Sequence, residues 1–153
     1  MRIAIGMDHW GFIWKEEIVS FLEQQGHDLV DKGAYQHDPH DDYPDFVVSV
    51  ARAVASGEVS RGIVVCGSGV GASIAANKVP GVRSAMCHDS YSAHQGVEHD
   101  DMNVLAIGSR IVGIELAKEL VEAFLSANYT AEARHQRRLD KVKAIETEGF
   151  KPA

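Results

Sequence analysis

Short β-branched runs alternate along this chain with longer stretches in which apolar residues recur every three or four positions. The short runs, near Arg2–Met7, His27–Asp31, Gly62–Cys66, Arg83–Cys87 and Val104–Ile107, predict five strands. The periodic stretches, near Phe12–Gln25, Asp45–Ser56, Val70–Asn77, Ser90–Glu98 and Ile111–Leu125, predict the helices between them. Such alternation implies parallel pairing, because each helix returns the chain to the end of the sheet where the last strand began. The expected fold is α/β: a three-layer sandwich around a five-stranded parallel, Rossmann-like sheet. Ligands are expected outside the carboxyl ends of the strands, where strand order reverses. After the fifth helix, residues Ala131–Leu139 with Val142, Ala144 and Ile145 read as an extra amphipathic C-terminal helix outside the alternation, a candidate for a subunit contact. No internal repeat, low-complexity tract or linker interrupts the pattern. Gln36–Asp42 is its one polar, turn-rich insertion.

Composition narrows the setting. A chain of 153 residues suits one domain over its whole length, with a sizeable buried core. Its net charge of −7 argues against a nucleic-acid or anionic-membrane binder, since both need a broad basic surface. An anionic ligand must therefore meet a local basic cluster. No apolar run approaches the roughly 20 residues that span a bilayer, and Met1-Arg2-Ile3-Ala4-Ile5 enters a strand without an apolar signal core, so a cytoplasmic location is expected. Two cysteines, Cys66 and Cys87, are too few for a disulfide framework and fit a reducing compartment, with a bridge between them under oxidation left open. Cys87 reads as a small apolar residue near the end of strand four.

Chemistry concentrates in Ile63-Val64-Val65-Cys66-Gly67-Ser68-Gly69-Val70-Gly71-Ala72 and the small-residue helix that follows. This is strand, anion-binding loop and helix: the glycines let backbone N–H groups converge, and the helix start adds its dipole. A thiol in that field favours its thiolate form, which makes Cys66 a candidate base or nucleophile. After strand one, Asp8-His9-Trp10-Gly11-Phe12 sets a carboxylate and an imidazole where they can hold a hydroxylated or anionic ligand; Asp8 is equally a helix N-cap. Tyr43, in Asp42-Tyr43-Pro44-Asp45, enters a helix with proline in its first turn and reads on its own as packing, or as the edge of a pocket. The cluster Glu98-His99-Asp100-Asp101-Met102-Asn103 is either a solvated turn or the seat of a general acid, His99, whose unperturbed pKa lies at about 6.5. Basic residues gather late, at Arg110 and at Arg134, Arg137 and Arg138. Arg134 and Arg138 lie four apart on one helical face, where their forks can converge on a phosphate or simply be solvated.

Together, Asp8-His9-x-Gly11-Phe12, Asp42-Tyr43-Pro44, Cys66–Gly71 with Ile74-Ala75-Ala76-Asn77-Lys78, Asn103-Val104-Leu105 with Gly108-Ser109-Arg110, and Arg134-His135-Gln136-x-Arg138 resemble, in order, the ribose-5-phosphate isomerase B family. The resemblance covers nearly the whole chain, and relatives include galactose-6-phosphate isomerase subunits. It implies an aldose–ketose isomerase that acts on a phosphorylated pentose through an enediolate, with no metal or organic cofactor. Carried over residue by residue, Cys66 is the base. Gly67, Ser68, Gly69, Val70 and Gly71 form the oxyanion loop, with the Ser68 hydroxyl relaying protons where many relatives have threonine. His99 opens the furanose, Asp8 holds sugar hydroxyls, and His9, Arg110, Arg134 and Arg138 bind substrate, the arginines chiefly at phosphate. Family pockets are shared between two subunits, which implies a homodimer or a dimer of dimers. Two positions depart from family patterns. Asp100 stands where Asn is usual, replacing a donor by an acceptor-only carboxylate when ionised. Ala72 stands where some relatives that lack the cysteine carry glutamate, which favours Cys66 as base. Allose 6-phosphate, galactose 6-phosphate and tetrulose phosphates remain alternative substrates. A cysteine phosphatase would need arginine where this chain has Ala72. A non-enzymatic phosphosugar sensor would explain the loop and arginines but give Cys66 and His99 no work.

Overall fold

The computed structural model describes residues 1–148. Five strands, β1 (Arg2–Met7), β2 (Asp28–Asp31), β3 (Arg61–Cys66), β4 (Ser84–Met86) and β5 (Val104–Gly108), form one sheet in the order β2-β1-β3-β5-β4. All four neighbouring pairs are parallel. Between and after them run α1 (His9–Phe12), α2 (Lys15–Gln24), α3 (Tyr43–Ala55), α4 (Val70–Ala76), α5 (Ser90–Asp100), α6 (Ile114–Ser126) and α7 (Ala133–Glu148).

Side chains alternate along each strand, so the sheet feeds two cores. Ile3, Ile5, Met7, Ile63, Val65, Leu105 and Ile107 pack against α2, α5 and α6, where Ile18, Leu22, Val97, Leu120 and Phe124 are buried. The opposite positions, Ala4, Val64, Cys66, Val104 and Ala106, meet Val47, Val50 and Val54 of α3 and Ala72 and Ala76 of α4. The face with smaller strand residues is the one that carries the cysteine. Arg61 ties β3 to the end of α6: its guanidinium donates to the carbonyls of Phe124 and Ala127, carbonyls that the helix itself leaves unpaired.

Helix boundaries differ from the sequence reading in four places that bear on the site. The helix expected over 12–25 is two: Asp8 caps the short α1, and the chain restarts as α2 once Trp14, 9% exposed, has entered the core. α3 begins at Tyr43, with Pro44 in its first turn, where a proline's missing N–H costs nothing. α6 begins at Ile114 rather than near Ile111, because Ile111 and Val112 close a separate turn on the Gly108 carbonyl, and Gly113, extended at ψ 164°, stands between that turn and the helix as its N-cap. α5 runs on through His99 and Asp100, so His99 sits in a last helical turn and not in a solvated turn. Arg83 holds that end, donating from Nε to the Asp101 carbonyl at 2.7 Å and from Nη2 to its carboxylate at 2.7 Å. The C-terminal helix α7 lies outside the alternation, as its pattern predicts, and buries His135 and Leu139. Cys87 is buried immediately beyond β4, and burial pushes its thiol up to about 11.

Candidate active site

Strand order on the sheet reverses between β1 and β3: β2 lies beyond β1 on one side, and β5 beyond β3 on the other. The loops leaving the carboxyl ends of β1, β3 and β5 part there, where open parallel sheets place their ligands. They surround a cavity of about 500 Å³ lined by Asp8, His9, Trp10, Asp41, Tyr43, Cys66, Gly67, Ser68, Gly71, Arg110 and Ile111.

Cys66 ends β3 and is 4% exposed. Its Sγ accepts the Gly69 N–H at 3.1 Å, so the loop closes back on the sulfur. Gly69 makes this closure with φ +79°, and a β-carbon there would stand 3.1 Å from both Gly108 N and Ile107 C, backbone atoms that cannot yield. The next residues start α4, whose first-turn N–H groups have no intrahelical partners. At Gly71 a β-carbon would lie 2.6 Å from Cζ of Tyr43, so the phenol ring rests directly on that first turn. Ser68 Oγ accepts the Val70 N–H at 3.3 Å and keeps its own proton for donation.

Asp8 is 5% exposed, and one of its oxygens accepts N–H groups from Trp10 at 2.9 Å and Gly11 at 3.1 Å. It thus caps α1 while lining the cavity. Burial pushes its carboxyl above the usual range, outweighing those two bonds. Arg110 lays its guanidinium 4.4 Å over the Trp10 ring, and Ser109 Oγ donates to the Trp10 carbonyl at 2.8 Å, fastening the β5 loop to the β1 loop.

His99, Asp100, Arg134 and Arg138 do not line this cavity in the single chain. They gather where α5 ends and α7 begins. There His99 stacks on His135 with ring centroids 3.9 Å apart, and its Nδ1 lies 2.7 Å from Nε2 of Gln95. His135, 1% exposed, has its Nδ1 3.0 Å from the Thr130 hydroxyl, whose one proton goes to the Glu98 carbonyl at 3.0 Å. Burial, with His99 beside it, holds the His135 imidazole below its ordinary range. Arg134 pairs with Glu132 at 2.9 Å, and both Arg134 and Arg138 are exposed. Asp100 is exposed and lines a separate groove with Arg83 and Glu146.

Of the residues singled out from the sequence, Asp8, His9, Tyr43, Cys66, Gly67, Ser68, Gly71 and Arg110 are brought together, with Gly69 and Val70 completing the loop among them. Trp10, Asp41 and Ile111 were not read as cavity residues. Trp10 stood inside a quoted motif and Asp41 inside the polar insertion, but neither position signals a neighbour from a distant loop.

The chain matches the Ribose/Galactose Isomerase family over residues 3–142. It is 51% identical over 145 residues to ribose-5-phosphate isomerase B of Escherichia coli (strain K12), covering 95% of this chain and 96% of that protein. The solved structure of Clostridium thermocellum ribose-5-phosphate isomerase B superposes with a TM-score of 0.92 at 48% identity, covering 97% of this chain and 99% of that one. Ribose-5-phosphate isomerase B of Mycoplasma genitalium, solved with bound ribulose 5-phosphate, gives a TM-score of 0.92 at 40% identity, with 97% of each chain covered. With a five-stranded parallel sheet, a thiol closed into a glycine loop at its switch point and similarity along nearly its full length, this chain belongs to the ribose/galactose isomerase family.

Proposed function

We propose that this protein interconverts ribose 5-phosphate and ribulose 5-phosphate through an enediolate. The observation that carries this reading is Cys66 Sγ, bonded to the Gly69 N–H on the wall of a cavity where Asp8, His9 and Arg110 also converge. A sulfur held there can take a proton from the carbon beside the substrate carbonyl and return it to the neighbouring carbon. Negative charge then develops on the substrate oxygens. The N–H groups of the Gly67–Gly71 loop stabilise it, each well-aimed donor being worth roughly 3 kcal/mol. Ser68, with its hydroxyl proton free, exchanges protons between the two oxygens. Asp8 accepts from sugar hydroxyls, and Arg110 and His9 receive anionic charge.

His99, Arg134 and Arg138 act from a second copy of the chain, His99 opening the sugar ring and the arginines gripping phosphate. Two features support a homodimer with shared sites. Those residues do not line the cavity of their own chain, and around it Val70, Ile74 and Ile111 are 47%, 57% and 58% exposed, an apolar rim suited to burial by a partner. Asp100 favours a second reading of substrate choice, because its carboxylate offers no donor to a sugar where an amide would.

The test is conversion of ribose 5-phosphate to ribulose 5-phosphate without added metal, beside allose 6-phosphate, for wild type and Cys66→Ala. Turnover that disappears with the thiol is the expected result. A correctly assembled protein inert toward both sugars overturns the reading and leaves another phosphosugar or phosphosugar sensing in its place.

A further inference from the structure

The polar insertion before α3 has a use that its sequence does not announce. Asp38 Oδ1 accepts the His40 N–H at 2.9 Å and its carbonyl accepts the Asp41 N–H at 3.1 Å, folding the loop back toward β1. Asp41 is thereby set against His9. A single oxygen, Oδ1, accepts the His9 backbone N–H at 3.1 Å and lies 2.6 Å from His9 Nδ1. The Asp41 side chain is only 8% exposed, and its other oxygen is buried without a hydrogen-bond partner.

We infer that Asp41 is a positioning residue, which fixes the His9 ring with Nδ1 committed to its carboxylate and Nε2 left as the nitrogen that meets the ligand. An ionised carboxylate only accepts, so Nδ1 must carry the proton in this contact. Nε2 is then the free nitrogen in either state of the ring: an acceptor for a sugar hydroxyl when neutral, a donor to an anionic oxygen when charged. In the charged state Asp41 is the counter-ion. Other groups around the ring are Asp8, Tyr43, Cys66 and Arg110, which share its cavity, and Trp10, whose ring centroid lies 5.3 Å away. Among these only Asp41 bonds the imidazole. Leaving a buried carboxylate oxygen unpaired costs stability, so a loop that needed only an anchor would be better served by a neutral side chain. What the charge adds is a stronger bond to the ring N–H and a counter-ion when the ring is charged.

This assignment rests on the isomerase reading for its kinetic test and is independent of it for the other two. The experiment uses the full chain carrying Asp41→Ala or Asp41→Asn, with nitrogen NMR of the His9 ring, inhibition constants for inorganic phosphate, and KM and kcat for ribose 5-phosphate. In wild type the His9 nitrogens should report the Nδ1–H form. In Asp41→Ala they should move toward the Nε2–H mixture of a free imidazole, the phosphate constant and KM should rise about 5- to 20-fold, and kcat should stay within about threefold. Asp41→Asn, whose amide oxygen still accepts, should recover much of both effects. Unchanged nitrogen shifts and unchanged phosphate inhibition in folded Asp41→Ala would overturn the assignment. Absence of turnover in wild type, with the nitrogen and phosphate effects intact, would instead overturn the isomerase reading alone.

Discussion

Replacing Gly69 by alanine tests how tightly the loop around Cys66 is seated, and the chain supplies its own control. Gly69 has φ +79° and Gly57, after α3, has φ +76°, so an added methyl strains both backbones alike, by roughly 1–2 kcal/mol. Any gain from a stiffer unfolded chain is also common to the two sites. Surroundings differ. Nothing lies within 4 Å of a β-carbon at Gly57, whereas at Gly69 it would stand 3.0 Å from Met86 Cγ and 3.1 Å from two backbone atoms of the β5 end. Met86 can move aside; β5 cannot. Overpacking of this kind costs about 1–3 kcal/mol, so Gly69→Ala should lose about 2–5 kcal/mol against 1–2 for Gly57→Ala. For a chain of this length that corresponds to Tm falls of about 4–20 °C and 2–8 °C. Relief comes most easily by lifting the loop, which draws the Gly69 N–H away from Cys66 Sγ. Turnover should therefore drop about tenfold or more in Gly69→Ala and stay unchanged in Gly57→Ala. Thermal unfolding by circular dichroism and an isomerase assay on the two variants measure both effects. Equal Tm shifts and equal activities would refute the close seating of the loop on β5.

Further outcomes follow from the same geometry. Cys66→Ala should lower kcat about 10²- to 10⁴-fold with little change in Tm, the scale of a lost general base; retained turnover would exclude the thiol from proton transfer. Arg138→Ala should raise KM more than it lowers kcat, and a change confined to kcat would contradict a phosphate anchor. Stability should fall on acidification below pH about 6.5, because burial holds His135 and His88 below that ordinary value, so the unfolded chain takes up protons first. For His88 the loss has a visible partner: its Nε2 accepts the Gly108 N–H at 3.1 Å and cannot do so once protonated. Tm measured between pH 8 and 5.5 should decline, and His88→Gln should flatten part of that slope; a Tm that rises over the same range would reverse the sign.

Local pattern determined a great deal of this protein. Alternation of residues in Ile3-Ala4-Ile5 and Ile63-Val64-Val65 specifies strands buried on both faces, and the helical segments between them leave parallel pairing as the economical arrangement. The glycine loop after Cys66 was legible for the same reason: φ +79° at Gly69 is a property of one residue and its immediate chain neighbours. Helix boundaries were less legible, because α6 waits for a turn at Gly108–Val112 whose first residues, Ser109 and Arg110, are pinned to carbonyls of β3 and its loop. Only tertiary structure decided which strands are neighbours. The order β2-β1-β3-β5-β4 puts β5, not β4, beside β3, and so brings Arg110 to Cys66 and seats Gly108 under the loop. It also chose the partners. Asp41 meets His9 across 32 positions, and Thr130 binds Glu98 across the same span of 32. Contacts at such separations depend on how whole elements dock, and hydrophobic periodicity, which repeats every few residues, carries no information about them.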